Sequence, residues 1–456
     1  MKKLSLIDSL FIKLETPERL MHVASLLVFK LPENYEGDYF ADVIKGFRTV
    51  TQFIEPFNEV AVMNSWGQPY WKKAEKVNLD YHVQHIKLPQ PGTYEELLKL
   101  VSKYHSNMLG RSKPLWECYL IEGLEDNRFA IYFKVHHACM DGMGRMRVVQ
   151  AALNKTPEDR TITAPWQEKR QASREKESEP LKEQIVEVLR KKDDYFQSMK
   201  QAFKAVWDLK KQPLDPAQAL MPLPFTSPQT PFNVAIDGKR AFVAKTFSLP
   251  EFKELSRSLN GTVNDVVLSV CSGALRKYLE SKQCLPEKPL TAFIPVSIRP
   301  KDGKDGGNFV SNMICNLGTN LSDPRERLKL IQASANAGKS HLKQLSVDAA
   351  QSYTILSQTP AIILQVLDVP DKFKPSANLL ISNYPGPKQA LYLNGALLET
   401  IHPISFLFGG HALNITLTSY MDTLNFGLIA NGSHIRDLDK IGQFLEESLA
   451  ELKGIV

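Results

Sequence analysis

Apolar positions along this chain follow two rhythms. Continuous or alternating runs predict strands, and recurrences every three or four residues predict helices. Residues 21–29 and 129–135 are rich in aromatic and β-branched side chains and read as buried strands. Residues 39–47 and 94–109 carry helical spacing, and 66–71 reads as a strand pair turning at Gly67. Residues 4–11 form a short apolar element around Asp8, and 80–83 and 117–121 are further strands. After Gly142, Met146, Val149 and Leu153 share one helical face. In the second half, 240–248 alternates like a strand. Gly261-Thr262-Val263-Asn264-Asp265 then opens a helix with Val267, Val270, Ala274, Leu275 and Tyr278 on one face. Strands follow at 293–299, 309–316 and 379–381, the last running into the turn Pro385-Gly386-Pro387, and a helix over 438–452 ends the pattern.

Between the halves the rhythm breaks. Over 154–179 charges of both signs are dense, prolines recur and large apolar residues are scarce, which predicts an exposed connector. Leu181, Ile185, Val188, Phe196, Met199, Phe203 and Val206 then recur among lysines as an amphipathic helix, and a proline-rich stretch over 213–231 ends it. At 456 residues the chain is long for one domain, so the expected division is 1–153, a linker over 154–231, and 232–456.

Composition narrows the class. Hydrophobic residues at 43% and charged residues at 23% suit a globular protein with a large core. A net charge of +6 allows attraction to anionic head groups or a phosphorylated cofactor, but the dense basic stripe that nucleic acid requires is missing. Five scattered cysteines (118, 139, 271, 284 and 315) form no framework and read as reduced thiols of a cytoplasmic protein. No signal-peptide core follows the first residues, and no run approaches the ~18 apolar residues that span a bilayer. A membrane contact is therefore expected to be peripheral.

The densest chemistry is His136-His137-Ala138-Cys139-Met140-Asp141-Gly142, set between a predicted strand end and a helix start. Side chains at such a junction project into a cleft while the scaffold stays rigid. An imidazole titrating near neutrality takes a proton from an alcohol and returns it. A carboxylate four residues on lies close by, to hold the turn or pair with an arginine, and Gly142 lets the backbone pass closely. A lone histidine here would read as a buried, hydrogen-bonded one; the full pattern favours catalysis. Zinc spacings are absent, so no metal is expected, and Cys139 ranks below the histidine as a nucleophile. Ala337-Gly338-Lys339-Ser340 lacks the earlier glycine of a phosphate loop and sits in a helical context, so no nucleotide-hydrolysing site is expected.

His-His-x-x-x-Asp-Gly resembles the signature of acyltransferases related to chloramphenicol acetyltransferase and to the condensation domains of peptide synthetases. Leu4-Ser5-x-x-Asp8-x-x-Phe11 followed by Met21-His22-Val23 resembles the N-terminus of bacterial wax ester synthase/diacylglycerol acyltransferases. Pro114-Leu115-Trp116, Asn264-Asp265, Gly409 to Ile415 and Ser419-Tyr420 are similar to further stretches of that family. Ser382-Asn383-Tyr384-Pro385-Gly386-Pro387 is similar too, with Tyr384 where the family usually has valine.

The resemblance implies an α/β fold of two chloramphenicol-acetyltransferase-like sandwich domains joined by a helical linker, with an active-site tunnel at their interface. The first domain carries the histidine motif. It implies transfer of a fatty acyl group from acyl-CoA, a co-substrate, to a fatty alcohol or a diacylglycerol, with no permanently bound cofactor. His137 is then the base and His136 its neighbour in the motif. Asp141 pairs with Arg299, Gly142 supports the turn, Asn264 either caps its helix or orders the reacting groups, and Ser382 and Asn383 line the chamber. His22 reads as a satisfied core histidine and Pro114-Leu115-Trp116 as structural. Amide-forming condensation on carrier proteins and an inactive transferase fold on a lipid surface are the competing readings. The expected location is cytoplasmic, on the inner face of the membrane or on lipid inclusions, with the amphipathic stretch 181–211 as one means of contact.

Overall fold

A computed structural model describes residues 2–167, 220–297, 310–344 and 374–456. The strands of its first half are β1 (Lys2–Lys3), β2 (His22–Lys30), β3 (Glu59–Met63), β4 (Pro69–Lys73), β5 (Val83–Lys87), β6 (Trp116–Leu124) and β7 (Arg128–His136). Those of its second half are β8 (Arg240–Ser248), β9 (Thr291–Ser297), β10 (Val310–Asn316), β11 (Leu379–Tyr384), β12 (Tyr392–Leu393), β13 (Ala396–Ile404), β14 (Leu413–Tyr420) and β15 (Thr423–Asn431). The helices are α1 (Leu6–Leu14), α2 (Tyr39–Arg48), α3 (Leu79–His82), α4 (Tyr94–His105), α5 (Gly142–Ala152), α6 (Leu249–Ser258), α7 (Val263–Ser281), α8 (Pro324–Gln344) and α9 (Leu438–Lys453).

Two six-stranded mixed sheets organise these elements, in the orders β12-β13-β2-β7-β6-β5 and β10-β9-β11-β14-β15-β8. A small sheet, β1-β4-β3, stands apart. The second half of the chain thus lends β12 and β13 to the first sheet, where β13 pairs antiparallel with β2. Sequence periodicity carries no sign of such a crossing, because it reports which face is buried and not which neighbour is paired.

Each sheet is covered by helices whose apolar faces match it. Tyr39, Val43 and Phe47 of α2 and Met146 and Val149 of α5 pack on Leu27, Phe29, Phe129, Ile131 and Phe133. The opposite face of β2 (Ala24, Leu26, Val28) meets α4 and, from the second sheet, Phe242, Ala244 and Ile429. The sheets touch closely where β15 has Gly427: a Cβ there would lie 1.8 Å from the Pro403 carbonyl oxygen. On the far side of the second sheet, α7, α8 and α9 close the largest core.

Local chemistry sets the boundaries. Thr93 and Glu96 form a capping box that starts α4, and Thr262 and Asp265 do the same for α7. Asp126 and Asn127, at φ 59° and 55°, make the tight hairpin turn between β6 and β7. The expected strand at 80–83 is instead one turn of helix, α3, followed by β5. The Asn78 side chain accepts from the Asp80 and Tyr81 amides and so winds the chain before the strand begins.

The expected connector is exposed over 155–161, but Trp166 is fully buried. Its indole stacks on Trp116 at 4.5 Å and meets Phe47 at 5.3 Å. Burying roughly 200 Å² of indole contributes about 5 kcal/mol, enough to hold an otherwise polar stretch to the core. Ala337 to Ser340 lie inside α8, not in a phosphate-binding loop. The amphipathic stretch 181–211 and Arg299 lie outside the described residues.

Candidate active site

The histidine motif begins where β7 ends. His22 at the start of β2 is the register partner of His136, so both strands deliver their ends to one place. Four backbone contacts hold the loop. The His136 amide donates to the Leu115 carbonyl (2.9 Å), the His137 amide to the Met21 carbonyl (2.8 Å) and the Cys139 amide to the His136 carbonyl (2.9 Å). The Ala138 amide donates to His136 Nδ1 (3.0 Å). Because Nδ1 accepts, the proton of the His136 imidazole sits on Nε2.

That Nε2 faces Glu15, whose Oε2 lies 3.4 Å away and 2.7 Å from Arg111 Nη2. Glu15 Oε1 accepts the Met21 amide (3.0 Å). Burial alone would raise the Glu15 carboxyl; His136, Arg111 and the Met21 amide more than reverse this and hold it below the usual range. Sequence reasoning missed this carboxylate. It follows α1 directly as its C-cap, and a single acidic residue after an apolar helix carries no recognisable signal.

His136 is therefore a buried structural member of the motif, and His137 is the more exposed of the two. The His137 ring is half-buried, with Phe11 at 4.3 Å on one side and Phe406 at 5.1 Å on another. Loss of water pulls its pKa down to about 4, against the attraction of Asp141. At neutral pH this imidazole is uncharged and able to accept a proton. The Cys139 thiol is pushed well up by burial and by the Asp8, Glu59 and Glu15 carboxylates, which removes its nucleophilic form.

Asp141 caps α5, its Oδ1 accepting from the Gly144 amide at 2.6 Å, and it is exposed. Gly144 leaves room for this cap: a Cβ there would lie 2.8 Å from Met140 Cγ and 3.1 Å from Asp141 Oδ1. One turn further, Arg145 is 2% exposed. Its Nε donates to Ser25 Oγ at 2.9 Å, while its Nη1 is buried without a hydrogen-bond partner. Burial lowers the guanidinium's pKa, opposed by neighbouring Tyr384 and Asp141. The Tyr384 hydroxyl is likewise buried, beside the Arg145 guanidinium, and its ring lies against Gly142, where a Cβ would be 4.0 Å from Tyr384 Cε1. The residue that departs from the family's usual valine thus reaches the histidine motif from the second half of the chain.

The remaining expected residues are placed as follows. His22 is fully buried and its Nε2 bonds to the His105 carbonyl at 2.8 Å, a core histidine. Trp116 donates to the Phe57 carbonyl (2.9 Å), and Leu115 accepts the His136 amide, so Pro114-Leu115-Trp116 supports the motif from below. At the start of α7, Thr262 and Asp265 do the capping. Asn264 is left half-buried, and its side chain makes no hydrogen bond among the described residues. Ser382 is half-buried and Asn383 exposed on β11, next to Tyr384. Phe406, which touches His137, also lines a small crevice with Phe293, Leu380, Phe408, His411, Leu413 and Asn414. Among the described residues no helix is long and apolar enough to cross a membrane.

Comparison with known proteins gives the family. The family model for the wax ester synthase/diacylglycerol acyltransferase catalytic domain matches residues 4–267, and the model for the C-terminal domain of the same family matches 306–453. The chain is 37% identical over 460 residues to an Acinetobacter baylyi O-acyltransferase, covering 100% of this chain and 98% of that one. It superposes on the wax ester synthase/diacylglycerol acyltransferase of Marinobacter aquaeolei with a TM-score of 0.79 at 32% identity, covering 99% of both chains. The first condensation domain of the calcium-dependent antibiotic synthetase shares the fold at 14% identity, with a TM-score of 0.57 over 99% of this chain and 96% of that one. With its two mixed α/β domains and its His-His-x-x-x-Asp-Gly loop, the chain belongs to the wax ester synthase/diacylglycerol acyltransferase family of O-acyltransferases.

Proposed function

We propose that the protein transfers a long-chain fatty acyl group from its coenzyme A thioester to the hydroxyl of a long-chain alcohol or a diacylglycerol. The products are wax ester or triacylglycerol. The observation that carries this reading is His137, an uncharged imidazole at the end of β7 walled by Phe11 and Phe406. Such a setting suits a base that serves alkyl-chain substrates.

His137 takes the hydroxyl proton as the alcohol oxygen bonds to the thioester carbonyl carbon. The tetrahedral intermediate then expels the sulfur, and the imidazolium returns the proton to the departing thiolate. Ester and free coenzyme A result, with no covalent acyl-enzyme and no permanently bound cofactor. Glu15 and His136 hold the loop that presents the base. In this reading Asn264 orders the reacting groups, Ser382 and Asn383 line the chamber, and Asp141 pairs with Arg299. The acceptors reside in lipid, so the protein works at a membrane or lipid-inclusion surface.

Purified protein incubated with palmitoyl-coenzyme A and hexadecanol, and separately with a diacylglycerol, should release free thiol. His137→Ala should lose about 10²–10⁴-fold in rate while melting like the wild type. A folded His137→Ala variant that keeps most of its activity overturns the assignment.

A further inference from the structure

We propose that the β3–β4 hairpin is the element that seats the protein on an anionic lipid surface; this deepens the function proposed above and rests on it. Trp66 in the hairpin turn is 85% exposed and Met63 beside it 53%. Apart from terminal Val456, no large apolar side chain among the described residues is more exposed. One exposed apolar residue needs no explanation, but two at a single turn are an apolar tip. Tryptophan is also the side chain that settles at the head-group level of a bilayer.

The tip is built, not loose. Asn64 Oδ1 accepts from both the Trp66 amide (3.0 Å) and the Gln68 amide (2.8 Å). The Gly67 amide donates to the Asn64 carbonyl (3.0 Å), with Gly67 at φ 68°. Lysines surround it. Lys13 Nζ reaches Gln68 Oε1 at 3.3 Å, and Lys3 lies opposite Tyr70 across the β1–β4 pair. At the base of the hairpin, Lys72, Lys73, Lys76 and Lys113 line a recess of about 440 Å³ against one carboxylate, Glu75. Among the described residues Lys72, Lys73 and Lys76 have no ion-pair partner, so their charge is unspent. An apolar tip with free cations beside it matches what an anionic head-group layer offers.

The position of the hairpin links it to the chemistry. Trp71, on its inner face, shares a core with Leu115 and Ala138 of the catalytic loop. Helix α1 places Phe11 against the His137 ring and Lys13 against the hairpin turn.

The test is flotation with phosphatidylcholine vesicles, with and without phosphatidylglycerol. The double variant Trp66→Ser/Met63→Ser should lose about tenfold or more in vesicle affinity and keep its melting temperature and its transfer to a water-soluble short-chain alcohol. The triple variant Lys72→Gln/Lys73→Gln/Lys76→Gln should lose about fivefold per charge at low salt, only on vesicles with phosphatidylglycerol. Unchanged flotation of the folded Trp66/Met63 variant overturns the proposal. If the lysine variant floats normally but no longer binds adenosine 3′,5′-bisphosphate in calorimetry, the recess belongs to the coenzyme A nucleotide and the lipid assignment of the lysines fails. Wild type that floats but releases no thiol from palmitoyl-coenzyme A with either hexadecanol or a diacylglycerol refutes the proposed function and leaves the docking surface standing.

Discussion

Glu15→Gln is the most informative substitution, because it removes one charge and almost no volume. The Glu15 side chain is fully shielded from solvent. Three groups converge on its carboxylate: Arg111 Nη2 at 2.7 Å as an ion pair, the Met21 amide, which donates to it at 3.0 Å, and His136 Nε2 at 3.4 Å. An amide cannot satisfy them in either orientation. With its oxygen toward Met21, its NH₂ faces Arg111 and His136; flipped, its NH₂ faces the Met21 amide. His136 cannot relieve the clash by moving its proton, since its Nδ1 already accepts from Ala138. Breaking a buried pair by removing one partner costs about 3–5 kcal/mol. Arg111 keeps 31% of its side chain in solvent, so the lower end, about 3 kcal/mol, applies. Met21 also holds the His137 amide, so the base moves with it, and a 1 Å misplacement costs up to about 10²-fold in rate. Urea unfolding and thiol release from palmitoyl-coenzyme A measure the two effects. In the double variant Glu15→Leu/Arg111→Leu the losses should be smaller than the sum of the single ones. A glutamine variant with wild-type stability and wild-type rate would refute the reasoning.

Three other outcomes follow from the same geometry. Arg145→Met removes a buried guanidinium that has no carboxylate within ion-pair distance among the described residues, so stability should hold or rise by about 1–4 kcal/mol while transfer slows; a destabilised, fully active variant contradicts this. Asp141→Asn should keep the α5 cap and the melting temperature, and Asp141→Ala should lose about 1 kcal/mol; a loss of about 3–5 kcal/mol would instead mark a buried pair. His82 and His402 are buried and held down to about 4, below the unfolded value near 6.5, so the unfolded chain takes protons that the fold refuses. The stability they contribute is complete above pH 6.5 and is lost as pH falls toward 4, by about 3 kcal/mol each at pH 4; urea midpoints that stay level across that window contradict it.

Most elements were legible because their apolar rhythm is strong. Strand β8 and helices α7 and α9 fall where periodicity puts them, within a residue or two. Misreadings arose where a single residue outweighed the rhythm. Asn78 turned an expected strand into α3, and Trp166, one large ring in a charged stretch, anchored residues expected to be exposed. The exchange of β12 and β13 into the first sheet was invisible because pairing partners far apart in sequence leave no local trace.

The site was legible in one direction only. Residues adjacent in sequence, His136 to Gly142, announce themselves, because a strand–turn–helix junction must be built locally. Their support comes from elsewhere: Glu15 and Arg111 beneath His136, Ser25 beside Arg145, Phe406 beside His137, and Tyr384 from β11. Each is an ordinary residue type in an ordinary run, and only the fold gives it a neighbour. The same limit explains Asp141. Its spacing from the histidines allowed either holding the turn or pairing with an arginine, and among the described residues its bond is to the Gly144 amide two residues beyond Gly142. A carboxylate at that position has two physical uses, capping a helix that starts at Gly142 and biasing the imidazole four residues earlier. The cap satisfies one backbone donor, and the charge raises the His137 pKa against the stronger effect of burial. Asp141→Asn separates the two uses: the cap survives, the charge does not, and any rate change without a stability change then measures the electrostatic effect alone.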